Sequence, residues 1–349
     1  MKRAEWIDSC RFFAIFVIMV THFLGKVSPA ALELWEIPPS SWLLYGLTGK
    51  FSVAFFFVLL GYFASKPATF SFSSISRYTV RRYLQFAFYI FVTSIVFVCG
   101  SYCVTWVFHS SDEYVMRVLS DGLKYNLIYL MRDAFLFEDN YNATLWCMQQ
   151  LFLASIICRL IGYIPKKVPA ALRILSVLFL ISVLMFYNAD FCVWICAALL
   201  GYFLRIILEI CEARHILQSR LQLFFSAFAA LVFIKLKMPE SVVQYWLQSL
   251  AAFMLIYVQF NLPAVQRLLS KAPFPQLGGI SIGLFVVHTP VNSLLYSSLY
   301  CLCLKFMPKF PAVLIYFIVS LGTCIVCSWL LKMFYEFFLR LFAKTKVTV

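Results

Sequence analysis

Apolar segments of about 20 residues follow one another from residue 10 to residue 340, and no long polar stretch separates them. A bilayer core about 30 Å thick takes roughly 20 helical residues per crossing. Inside it each backbone N–H and C=O must be satisfied within the segment or by a closed barrel. Segments of this length select the helix. The chain is therefore expected to be all-α, a polytopic transmembrane helix bundle. Composition agrees: the 349 residues are 63% hydrophobic and 13% charged, with mean hydropathy +0.88, against about 25% charged residues in soluble domains.

Hydropathy places about ten spans, near residues 9–26, 47–64, 83–107, 144–163, 171–187, 191–208, 221–237, 243–260, 278–302 and 311–338. An even count puts both termini on one side. If that side is the cytoplasm, most of the 29 basic residues fall in inner loops and span ends, as the positive-inside rule expects. The net charge of +14 then reports topology in a plasma or inner membrane, and no nucleic-acid partner is called for. The first apolar run contains Phe, Met and His and no small-residue cleavage site follows it, so it reads as a retained span. One domain is expected over residues 1–349, with no separate soluble domain.

The twelve cysteines are scattered, among them Cys99, Cys103, Cys192, Cys196, Cys301 and Cys303. Paired CxxC motifs beside histidines are missing, so no metal is expected and the thiols read as small buried hydrophobes. A bridge between the Cys99/Cys103 and Cys301/Cys303 neighbourhoods is the alternative. Two connections are long. Residues 65–82, SKPATFSFSSISRYTVRR, read as a Ser-rich inner loop ending in arginines. Residues 108–143 read as an outer loop that mixes Asp112, Glu113, Asp121, Asp133, Glu138 and Asp139 with the amphipathic stretch YNLIYLMRDAFLF, an interfacial or re-entrant segment. No internal repeat is visible.

The first span contains RFFAIFVIMVTH, residues 11–22. Eleven helical positions turn about 1100°, about 20° beyond three full turns, so Arg11 and His22 share one face about 16.5 Å apart along the axis. Asp8 lies on the same stripe. Ionisable groups inside a membrane are costly and usually face the bundle interior or a water-filled cavity. The stripe therefore reads as one wall of a polar cavity, or else as a snorkelling Asp8–Arg11 pair with an interfacial His22.

The pattern Asp8, Arg11, ten residues, His22 at the head of a ten-span chain resembles the membrane acyltransferase-3 family, whose members acylate cell-surface glycans, lipids and small molecules in bacteria. FSVAFFFVLLGYF (51–63) resembles the family's second span, SRYTVRRYLQF (76–86) its arginine-bearing inner loop, TLWCMQQLF (144–152) its Leu-Trp segment and GISIGLFVVHTP (279–290) its late histidine-containing span. The family's Ser-Gly in the second span reads Leu60-Gly61 here. Three arginines, Arg77, Arg81 and Arg82, stand where the family often has two, and Trp146 follows Thr144-Leu145 where a polar residue is common.

The resemblance implies an acyl-CoA donor from the cytosol and no permanently bound cofactor. Acyl transfer from a thioester to a hydroxyl needs a base for the hydroxyl proton, and imidazole is the side chain whose pKa lies nearest working pH. His22 is the candidate, with Arg11 as its catalytic partner. Arg11, Arg77, Arg81 and Arg82 suit the donor's phosphates, which favour guanidinium groups, and Asp8 either orients Arg11 or caps the helix. His288 is a hydrogen-bonded structural histidine, or else a second proton carrier or an acceptor-binding group. Gln149 and Gln150 line the cavity or join helices. Trp146 packs, anchors at the interface or faces a sugar ring. His109 and His215 read as solvated surface.

The expected activity is an integral membrane O-acyltransferase, with acetyl the first choice of acyl group. It would take acetyl-CoA or another acyl-CoA as co-substrate and act on a hydroxyl of a cell-envelope glycan, glycolipid or related small molecule. The alternative is a transporter or flippase for a glycan or amphipathic metabolite, in which the polar stripe lines a permeation path. Partners are the donor, the hydroxyl acceptor and the lipid bilayer, and a homo-oligomer is compatible with the sequence.

Overall fold

The computed structural model describes residues 5–27, 49–65, 70–108, 112–165, 167–213, 226–229 and 241–344. Most of these residues are helical, and none of them lies in a strand. In chain order the helices are α1 (Glu5–Val27), α2 (Gly49–Ala64), α3 (Phe72–Phe108), α4 (Glu113–Leu136), a 3-10 turn (Ala143–Cys147) running into α5 (Met148–Ile161), α6 (Ala170–Tyr187) and α7 (Ala189–Ala213). They continue as α8 (Val242–Asn261), α9 (Pro263–Leu269), α10 (Phe274–Gly278), α11 (Ser281–Leu295), a π-helical turn (Tyr296–Tyr300), α12 (Cys301–Phe306) and α13 (Lys309–Lys344).

Eight segments among the described residues are long and apolar enough to cross a membrane, and α2 is a shorter apolar helix. Nine of the ten expected spans coincide with these. The tenth, at 221–237, lies outside the described residues apart from 226–229, as do His109 and His215. All twelve cysteines are free thiols, so no bridge joins Cys99 or Cys103 to Cys301 or Cys303.

The inner loop expected at 65–82 is a correction. Helix α3 already begins at Phe72, so Arg77, Arg81 and Arg82 stand on helical turns. The physical reason is the absence of a breaker: no proline interrupts 72–108, and the serines near its start fit the first turn of a helix as readily as a loop. The segment expected around 125–137 is longer than its amphipathic core. It starts at Glu113 behind Asp112, whose carboxylate accepts from the backbone N–H of Tyr114 and Val115, a standard cap. Gly122 interrupts it at φ 69°.

The residues form two compact units. The first holds α1 up to Ile18, α2, the start of α3 up to Val80, and residues from Gln150 to Pro275. Its α2 and α7 touch backbone to backbone. A Cβ on Gly61 would lie 1.7 Å from the carbonyl oxygen of Ala198, and one on Gly201 would lie 2.0 Å from that of Val58. Small residues permit this approach, which is how helices gain packing where lipid supplies no hydrophobic drive. Helix α8 packs on both, and α6 lies on α7 through an Arg173–Glu209 ion pair at 3.1 Å.

The second unit holds α1 from Met19, α3 from Arg81, the chain up to Gln149, and everything from Gln276 onward. Its axis is the pair α11 and α13. Phe23 of α1 packs against Tyr316 and Phe317 of α13, with ring centroids 4.8 and 4.9 Å apart. Tyr300, Cys303, Ala312 and Val313 complete that apolar cluster. The far part of α1 is thereby fixed within this unit, and His22 with it.

Candidate active site

Within the first unit, Arg11 Nη1 donates to Asp8 Oδ1 at 3.1 Å, and the guanidinium carbon lies 5.1 Å from the centre of the Phe63 ring. Spacing of three along a helix brings such a pair together. Asp8 lies within α1, while a cap residue stands outside the helical turns, so of its two expected roles the geometry matches orientation of Arg11. Arg77 is exposed in this unit, and Gln150 is buried.

Within the second unit, His22 is half-buried and its ring centre lies 5.2 Å from that of His288 on α11. His288 is fully buried. Its Nδ1 lies 3.1 Å from the carbonyl oxygen of Leu284 and 2.8 Å from that of Phe285. Both carbonyls only accept, so Nδ1 carries the proton and Nε2 the lone pair. Among the described residues, Nε2 has no hydrogen-bond partner.

The sequence around His288 makes its helix unusual. Pro290 has no N–H, so the Val286 carbonyl four residues earlier loses its helical donor. A buried carbonyl without a donor is costly. Asn142 supplies one: its Nδ2 donates to Val286 O at 2.7 Å. The Asn142 Oδ1 meanwhile caps the 3-10 turn, accepting from Thr144 N at 3.1 Å and from the Thr144 hydroxyl at 2.5 Å. One buried amide thus ties the Leu-Trp segment to the proline position of α11. Sequence reading did not single out Asn142. Its signal was a proline in the middle of an apolar span, which demands a donor from elsewhere without naming it.

Beyond Pro290, α11 carries buried Asn292 and Ser293, and the same rod passes through the π-helical turn at Tyr296–Tyr300. Such turns recur at functional sites. The remaining expected residues take more modest places. Gln149 Nε2 donates to the Leu136 carbonyl at 2.8 Å, closing one of the end carbonyls of α4, so it joins helices. Trp146 is exposed. Arg81 is exposed, and Arg82 lies over the Phe86 ring at 4.8 Å while donating to Gln85 at 3.3 Å.

The second unit therefore places two histidines side by side, one partly accessible and the other held in a single tautomer with a lone pair that no described residue engages. That arrangement can take a proton from a hydroxyl and release it to a leaving group. No curated protein and no solved structure matches the chain. The family model described as an acyltransferase domain matches residues 4–340. With a match of that extent on a chain of apolar, membrane-length helices, the protein belongs to the acyltransferase-3 family and is a membrane enzyme that transfers acyl groups.

Proposed function

We propose that the enzyme is a multi-pass O-acyltransferase of the plasma or inner membrane that moves an acyl group, acetyl in the first instance, from cytosolic acyl-CoA to a hydroxyl of a cell-envelope glycan, glycolipid or related molecule. The supporting observation is the half-buried His22 beside the fully buried His288, with ring centres 5.2 Å apart. In this reading His22 accepts the hydroxyl proton as the oxygen attacks the thioester carbonyl. The C–O bond forms, the C–S bond breaks, and the imidazolium returns its proton to the CoA thiolate. Arg11, oriented by Asp8, offers a guanidinium for a donor phosphate. On helix geometry it lies about 16.5 Å along α1 from His22, a separation suited to the long pantetheine arm. Arg77 and Arg81, four residues apart on one face of α3, are further cations for the same phosphates.

The test uses purified wild type, His22→Ala and Arg11→Ala. Acetyl-CoA should raise the melting temperature of wild type and be turned over. His22→Ala should keep the shift and lose turnover, and Arg11→Ala should lose the shift. Wild type that neither binds nor turns over acetyl-CoA or longer acyl-CoAs would overturn the donor assignment.

A further inference from the structure

The Leu284 and Phe285 carbonyls hold the proton of His288 on Nδ1. Its Nε2 is left as a buried acceptor with no hydrogen-bond partner among the described residues, next to the ring of His22. Thr289 Oγ1 and Ser293 Oγ on the same helix also have no partner among the described residues, but His288 is the one whose ring faces a second imidazole, 5.2 Å away. The ring is fully buried, so a substrate meets His22 first. The Phe285 ring, centred 6.0 Å away, closes off part of the surroundings with an apolar face.

We infer that His288 is a positioning residue: its Nε2 accepts an N–H of His22 once His22 has taken the proton of the acceptor hydroxyl. An imidazolium carries two N–H donors. One faces the reacting groups, and the other needs an acceptor in a site with little water. A neutral imidazole fixed in the right tautomer supplies that acceptor, as a carboxylate does for the histidine of a serine hydrolase triad. No bond of His288 is made or broken. The proton passes from hydroxyl to His22 to thiolate, and His288 holds the ring that carries it. This inference rests on the acyl-transfer reading.

Two near-isosteric substitutions separate this role from a structural one. His288→Asn keeps an amide donor near Nδ1 for the two carbonyls and loses the acceptor at Nε2. His288→Gln places an amide oxygen near Nε2 and keeps the acceptor. With acetyl-CoA as donor, His288→Asn should lower kcat by about 10²-fold and leave KM for acetyl-CoA within about twofold. His288→Gln should stay within about tenfold of wild type. Acetyl-CoA should raise the melting temperature of both variants as it does for wild type.

Equal activity in the two variants, whether both high or both low, would overturn the inference. If His288→Asn fails to fold, a cycle with His288→Leu, which removes the acceptor, decides: it should lower activity by about 10²-fold in wild type and cause no further loss in His22→Ala, because the residue acts only through His22. A further loss of the same size as in wild type would refute it. Wild type inactive on every acyl-CoA would instead overturn the proposed function, an outcome visible before any variant is made.

Discussion

Two places in the molecule solve helix packing in opposite ways. In the first unit, α2 and α7 meet through Gly61 and Gly201, with backbone carbonyls where side chains would be. In the second, α11 packs with His288, Thr289, Asn292 and Ser293 buried along it, and a proline in its middle. The first contact leaves no room for anything but main chain. The second keeps polar groups inside the protein at some cost in stability, and His288 Nε2, Thr289 Oγ1 and Ser293 Oγ have no hydrogen-bond partner among the described residues. Close packing leaves α2 and α7 little freedom to shift, and retained polarity coincides with the place where the proposed chemistry would occur.

The comparison breaks most directly at the glycines. A Cβ on Gly61 would lie 1.7 Å from a backbone oxygen, and main chain cannot step aside as a side chain can. Gly61→Ala should cost on the order of 3 kcal/mol or more, read as loss of monodisperse protein or a large fall in melting temperature. A variant of wild-type stability would mean that α2 and α7 are free to separate, and the contrast between the two regions would fall. At Gly283 a Cβ would lie 3.0 Å from Ser328 Cβ, so Gly283→Ala should be far milder.

His22→Ala tests the opposite end of the comparison. It removes a half-buried ring whose neighbour Phe23 carries the packing, so thermal stability should change little. Activity should fall by about 10²- to 10⁴-fold. A variant that loses stability and activity together would make His22 part of the framework.

Asn142→Ala lies between these extremes. It strands the Val286 carbonyl that Pro290 cannot serve, and it removes the cap of the 3-10 turn. An unsatisfied buried carbonyl costs about 1–3 kcal/mol, so the melting temperature should fall measurably. Pro290→Ala in the same background should recover part of the loss by restoring an N–H for Val286. If the double variant is no better than the single one, the amide serves some other need.

What the sequence made legible follows from the range of the interactions involved. The spans and the Asp8–Arg11 pair rest on period and spacing within one helix, and they could be read directly. The start of α3 at Phe72 could not, because serines are compatible with both a loop and a first helical turn. The Asn142–Val286 bond joins residues 144 positions apart, and the His22–His288 pair joins the first and eleventh helices. No local pattern encodes such pairings. They depend on how Phe23 seats α1 against α13, and on which face Pro290 opens. The residue types were visible, and the partnership was not.

The smallest effect sharpens the comparison within the second unit. Asp133 of α4 lies outside the candidate spans and is fully buried, yet it is well partnered. It accepts from the backbone N–H and the side-chain amide of Asn140 at 3.0 and 2.7 Å, and from the N–H of Tyr141 at 3.2 Å. Burial raises its pKa from 3.8 to about 6, while the bonds from Asn140 and Tyr141 pull it down. A carboxyl whose folded pKa lies above its unfolded value stabilises the fold below pH 3.8. That contribution is lost as pH rises through about 6. Backbone amides at 140–142, corrected for intrinsic exchange, should therefore be less protected from hydrogen exchange at pH 7.5 than at pH 5, and Asp133→Asn should flatten the difference. Protection that rises with pH in wild type would mean that the three hydrogen bonds outweigh burial, and the carboxylate would then be held ionised by its partners.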